Sequence, residues 1–205
     1  MKFSLVSGAA ALAVVAALAG CGGKQQYTVK GTIVNLNNSG LVLTNNGGDD
    51  LVIPNGATSF SFSRQIDYGT MYTVAVKTHP AHMTCSWNTA NTGSAGYNVD
   101  IQMTLACTQN AYNLGGQVTG LTPAADGTTA RTITLANGST STLVLSSVNA
   151  TNGNIDFVIG AVPDGQAYGV TFVDYNTGLL CDVTNGVGVM HETNISNILV
   201  ACRNK

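Results

Sequence analysis

This chain says the same thing twice, and two copies of one module must each fold around a core of their own. "YTVKGTIVNL" opens at Tyr27 and "YNLGGQVTGL" at Tyr112. "LVLTNNGGDDLVI" (Leu41 to Ile53) is matched by "TITLANGSTSTLVL" (Thr132 to Leu145), and "DYGTMYTVAV" by "PDGQAYGVTF", with Tyr72 and Tyr168 aligned. From each of those tyrosines the next cysteine lies 13 residues on, at Cys85 and Cys181. The closing cysteines, Cys107 in "QMTLAC" and Cys202 in "NILVAC", follow 22 and 21 residues later. The order and spacing of these matches predict two modules, at 27–107 and 112–202, with 108–111 ("TQNA") as a short link.

Within each copy the apolar residues alternate. In "VDIQMTLAC", Val99, Ile101, Met103, Leu105 and Cys107 fall on one face, with Asp100, Gln102 and Thr104 on the other. Tyr72, Val74 and Val76 do the same, and a period of two is that of a half-buried strand. "NNGG" (Asn45 to Gly48), Asn137-Gly138 and Asn185-Gly186 supply the positive-φ residues of hairpins between apolar runs. After residue 20 no segment carries a helical apolar stripe. Six or seven short strands in about 85 residues predict an all-β chain of two tandem immunoglobulin-like β-sandwich modules. Composition agrees: only 9% of residues are charged, and polarity comes from Asn, Thr, Ser and Gly, the residues of strands and tight turns.

The start of the chain is of a different kind. Met1 and Lys2 precede an apolar run, Phe3 to Leu18, of about 16 residues, short of the roughly 20 that cross a bilayer. A basic start, a short apolar core and small residues before a cut describe a secretory signal peptide, here helical and spanning 1–20. Its end, "LAGC" at Leu18 to Cys21, resembles the lipobox of bacterial lipoproteins. That resemblance implies cleavage between Gly20 and Cys21, a diacylglycerol thioether on the Cys21 thiol, and acylation of the new amine. Two or three acyl chains hold stably where one holds marginally. The tether at 21–26 contains "GGKQQ", five residues that reach at most about 18 Å, so the first module is expected beside the headgroups. Gly22 rather than Asp after the lipid cysteine implies, by the sorting logic of two-membrane bacteria, the outer membrane.

Cysteine parity fits export. With Cys21 set aside for lipid, four of the five cysteines remain, an even number suited to an oxidising compartment. Of the three pairings that four cysteines allow, Cys85–Cys107 with Cys181–Cys202 is favoured, because it repeats module by module. The pattern "GLVLTNNGGDDLVI…F…Y-x-V…C…C" also resembles a tandem module of bacterial surface lipoproteins. The first copy matches it better, since the second has "ANGSTST" where "NNGGDD" would stand. That likeness speaks to architecture rather than activity.

Four stretches carry candidate chemistry. "HPAHMTC" sets His79, His82 and Cys85 at metal-like spacing, but a disulfide-bonded Cys85 is no thiolate ligand, and the second copy has no histidine there. Asn45, Asn46, Asp49 and Asp50 are oxygen ligands of the kind calcium takes, though not in EF-hand spacing. His191 and Glu192, the only glutamate, adjoin in "VMHETN"; on a strand they would face apart, and in a loop they can meet. Trp87 either packs inside or faces out as a sugar platform. None completes a nucleophile, base and orienter, so the expectation is a non-enzyme without cofactor or metal. Without the first 20 residues, 7 basic residues (8 less Lys2) stand against 10 acidic ones, about −3, which argues against a nucleic-acid partner. The function expected is a structural or binding role in the cell envelope, with the membrane met through Cys21 and an envelope protein or glycan as partner. A glycan-binding lipoprotein is the alternative, and an envelope hydrolase a more distant one.

Overall fold

The computed structural model describes residues 24–97, 100–173, 175 and 178–205; the signal peptide, Gly20, Cys21 and Val99 lie outside them. Among the described residues the chain is all β apart from one 3₁₀ turn at Ser147–Asn149, and no helix there is long and apolar enough to cross a membrane.

The first half contains β1 (Gln26–Tyr27), β2 (Lys30–Val34), β3 (Val42–Asn45), β4 (Asp49–Val52), β5 (Ser59–Ser61), β6 (Ile66–Asp67), β7 (Met71–Thr78), β8 (Met83–Trp87), β9 (Thr92–Ser94) and β10 (Gln102–Gln109). The second contains β11 (Ala111–Thr119), β12 (Thr132–Asn137), β13 (Ser141–Ser146), β14 (Ile155–Pro163), β15 (Ala167–Val173), β16 (Leu179–Thr184), β17 (Val187–Val189) and β18 (Ile195–Asn204). The sheets come in matching pairs: β5-β2-β10-β8 answers β14-β11-β18-β16, and β4-β3-β7-β9 answers β13-β12-β15-β17. In both halves the opening strand runs parallel to the closing one, β2 with β10 and β11 with β18, and the other sheet pairings are antiparallel. The continuous pair β11–β14 appears in the first half as two pieces, β2–β5 and the two-residue ribbon β1–β6.

Two separate cores form between the sheets. One gathers Val29, Leu41, Leu43, Phe62, Val74, Met103 and Leu105; the other gathers Leu114, Leu121, Leu135, Phe157, Leu179, Met190 and Val200. Ile101, Met103, Leu105 and Cys107 are buried as their alternation requires, and Val76 is half-buried. Each half has eight strand positions rather than six or seven. The additional ones are β9 and β17, whose "TGS" and "VGV" are too short and too glycine-bearing to register as period-two runs. Their glycines have a packing reason: a Cβ at Gly93 would sit 2.6 Å from the Tyr72 hydroxyl, and one at Gly188 at the same distance from that of Tyr168. The repeated tyrosine thus lies across a repeated glycine.

Cys85–Cys107 and Cys181–Cys202 are disulfide-bonded. Each bridge joins directly opposed residues of neighbouring strands in one sheet, β8 with β10 and β16 with β18, and so ties an edge strand to its neighbour.

Candidate functional site: the joint between the modules

Thr108 and Gln109 still belong to β10 and Ala111 already to β11, so Asn110 alone separates the last strand of one module from the first of the next. Around it the modules interlock. Asn110 donates its N–H to the His82 carbonyl, 2.9 Å, and accepts at its own carbonyl from Asp164 N–H, 2.9 Å. The Gln109 amide donates to the Asp164 carbonyl, 2.9 Å, and the Thr84 hydroxyl to Asn110 Oδ1, 2.8 Å.

Asp164 is the hub. Its side chain is 1% exposed, in a chain whose other carboxylates are mostly at the surface. One oxygen, Oδ2, lies 2.9 Å from His82 Nδ1 across the joint; the other, Oδ1, accepts from Glu192 N–H at 3.0 Å. The hydrogen bond from His82 is the largest influence holding the Asp164 carboxyl below its ordinary value; the Glu192 N–H adds to it, and burial opposes both. A buried carboxylate is tolerable only when so paired.

The backbone is bent to serve this hub. Six described non-glycine residues have positive φ; four are asparagines, and the other two are His82 (φ 61°) and Glu192 (φ 50°), both partners of Asp164. Such conformations persist where surrounding contacts over-determine them. Gly165 completes the fit: a Cβ there, already strained at φ 81°, would lie 3.1 Å from the His82 ring.

The joint disperses the sequence-predicted metal and acid–base groups. His79 Nδ1 accepts from Cys85 N–H at 3.0 Å while His82 turns to Asp164, and Cys85 is in its disulfide, so "HPAHMTC" gathers no ligand set. Glu192 brings its backbone N–H to Asp164, and His191 beside it is exposed. No group of three or more His, Cys, Asp or Glu suited to a metal occurs among the described residues. Sequence reasoning missed the role of Asp164, which stood there only within the repeat match "PDGQAYGVTF".

"NNGGDD" forms the β3–β4 hairpin, with Asn45 opposite Asp49. Asp50 faces away and pairs with Lys77, whose hydrogen bond lowers the Asp50 carboxyl. Asp49 and Asp50 therefore do not converge. Asn46 accepts from Thr73 N–H and donates to the Met71 carbonyl, while Asn45 Oδ1 and Asp49 Oδ2 are buried with no hydrogen-bond partner. In the second module Asn137 itself accepts from Gly169 N–H at 2.8 Å, since Gly138 stands where Asn46 does. Trp87 is half-buried, edge-on to Phe60 with ring centroids 6.0 Å apart.

No family model matches the chain, and no curated protein matches it significantly. Among solved structures, the major pilin of Streptococcus pyogenes superposes at a TM-score of 0.31 with 13% identity, over 89% of this chain and 99% of that one. A single B repeat unit of the collagen-binding surface protein of Staphylococcus aureus gives a TM-score of 0.26 and 15% identity, over 88% of this chain and 100% of that one. Superpositions this loose carry no statement about function.

Proposed function

We propose that the protein is a lipid-anchored lipoprotein of the bacterial cell envelope, with a structural or binding role and no catalysis of its own. One observation carries the reading: the residue that ends the "LAGC" motif is the cysteine left over once the other four are bonded inside the modules. In an oxidising compartment an unpaired thiol is reactive, and thioether formation with diacylglycerol gives Cys21 a stable end. Gly22 favours delivery to the outer membrane.

The joint supports a spacing or presenting role. Its buried acid is engaged by His82 from the first module and by the Glu192 backbone from its own, and so fastens one module to the other. Two modules so fastened set a surface at a defined distance from the bilayer and offer loops and strand edges to an envelope protein or glycan. The glycan alternative draws no support from Trp87, which packs against Phe60.

Replacing Cys21 with Ser tests the reading directly. The expected result is an unprocessed precursor that takes up no alkyne fatty acid in cells. Normal cleavage together with retained label overturns it. Crosslinking in intact cells, followed by identification of neighbours, then names the partner.

A further inference from the structure

The backbone hydrogen bonds place the lower ends of the two modules in register. Tyr68 N–H donates to the Gln25 carbonyl as Asp164 N–H does to that of Asn110. Gly69 donates to Ala95 as Gly165 does to Met190, and Ala95 to Thr70 as Met190 does to Gln166. Tyr68, Met71 and Tyr97 of the first module therefore occupy the positions of Asp164, Ala167 and Glu192 in the second.

In the second module those three positions face the first. Asp164 and Glu192 build the joint, and Ala167 lines the crevice with Gln109 and Asn37. In the first module nothing among the described residues covers them: Tyr68 is 64% exposed, Met71 66% and Tyr97 88%. All three lie at one end of the module, with Met71 opposite Ser94 in the β7–β9 ladder. Tyr68 lies over Gly96, where a Cβ would come within 2.3 Å of its ring, and its centroid is 6.4 Å from that of Tyr27. Single exposed apolar residues mean little, whereas a cluster at an interface position means a partner.

The change of chemistry indicates which partner. A second joint of the same kind would call for the acid and small residue that serve as Asp164 and Ala167. Instead this end carries tyrosines, apolar in body and polar at the tip, the side chains that settle at headgroup level. It is also where the chain arrives from Cys21: Gln25, fixed by Tyr68, is four residues on, at most about 14 Å away. Lys24 and Arg64 are offset by Asp49 and Asp67 on the same end, so attraction to anionic lipid is not the driving force.

We propose that the base of the first module is a bilayer-contact face, in which Tyr68, Tyr97 and Met71 seat among lipid headgroups. This rests on the lipid-anchor reading and adds to it that the module stands on the membrane in one orientation instead of swinging on its tether.

The test uses the lipidated full chain in phosphatidylethanolamine/phosphatidylglycerol vesicles with brominated acyl chains, after mass measurement of the N-terminal peptide. In a Trp87→Phe background, Tyr68→Trp and Tyr97→Trp each report on the base; Tyr175→Trp, 68% exposed in the second module, is the control. Bromolipid should quench both base probes at least about twofold, as for rings seated about 5–10 Å into the headgroup boundary. Quenching should persist at high salt, and the control should be unaffected. Base probes no more quenched than the control, on protein whose Cys21 carries lipid by mass, overturn the contact face and leave the anchor standing. A bare or uncleaved N-terminus overturns the anchor and the contact face together. Emission that instead shifts with protein concentration in detergent assigns the face to a second copy and also overturns the proposal.

Discussion

Removing the two disulfides separately should cost nearly the same chain entropy but not the same total stability. The loops they close have sequence separations of 22 and 21 residues. On the chain-entropy model a loop of that length reduces the entropy of the unfolded chain by about 11 cal/mol/K, or about 3 kcal/mol at 25 °C, and one residue changes this by less than about 0.1 kcal/mol. Burial separates the two. Cys85 is 5% exposed and Cys107 1%, both in the core, whereas in the second bridge only Cys181, at 7%, is in the core and Cys202 is partly buried. Cys85→Ala with Cys107→Ala therefore also leaves a void, which adds roughly 1 kcal/mol at about 24 cal/mol per Å³. Urea unfolding of each double variant, followed by far-ultraviolet dichroism, reads the losses. The expectation is about 4 kcal/mol for Cys85/Cys107 and about 3 for Cys181/Cys202, equivalent to falls of roughly 16–32 °C and 12–24 °C for a module melting alone. A larger loss at Cys181/Cys202, or less than about 1 kcal/mol at both, refutes the reasoning.

Asp164→Asn keeps the shape and the acceptor for Glu192 N–H but removes the charge facing His82; the modules should stay folded and part at the joint, seen as one calorimetric transition becoming two and as faster amide exchange at Asn110 and Glu192. Unchanged cooperativity would show that the backbone bonds suffice. Gly93→Ala should drive the Tyr72 ring from its seat and destabilise the first module by about 1–3 kcal/mol, measured by thermal melting, while Gly47→Ala, with open space around it, should cost only the strain of its positive φ. Asp126 accepts from Thr128 N–H and from both the N–H and hydroxyl of Thr129, the last being the largest influence, and its carboxyl is lowered to about 2. A lowered acid stabilises the fold above its unfolded value and loses that contribution as pH falls through the folded one. The loop around Asp126 should therefore loosen between about pH 4 and about pH 2, as read by amide exchange at Thr128 and Thr129, and Asp126→Asn should abolish the step.

Much of the fold was legible because its signals are local or repeated. Alternation marked β10 through Ile101 to Cys107, and the doubled Tyr-to-Cys spacing marked the module unit. The short β9 and β17 were not legible, since three residues centred on a glycine hold no period. The joint was hidden for another reason: His82 and Asp164 are 82 residues apart, and only the stacking of finished modules brings them together. The contact face was hidden in the same way. Tyr68 and Asp164 look like turn residues in "DYGT" and "PDGQ", and their equivalence emerges only from matched hydrogen bonds.

The parallel pairing of each module's first and last strands has a mechanical consequence. β2 and β10 share five paired positions, and β11 and β18 are laid out the same way. Tension between the anchor and the far terminus would pull such partners past each other lengthwise, stressing the whole ladder at once rather than unzipping it rung by rung. Wall or surface forces would thus meet the stiffest response these sheets can give, and each covalent bridge ties the loaded closing strand, β10 or β18, to the edge strand beside it.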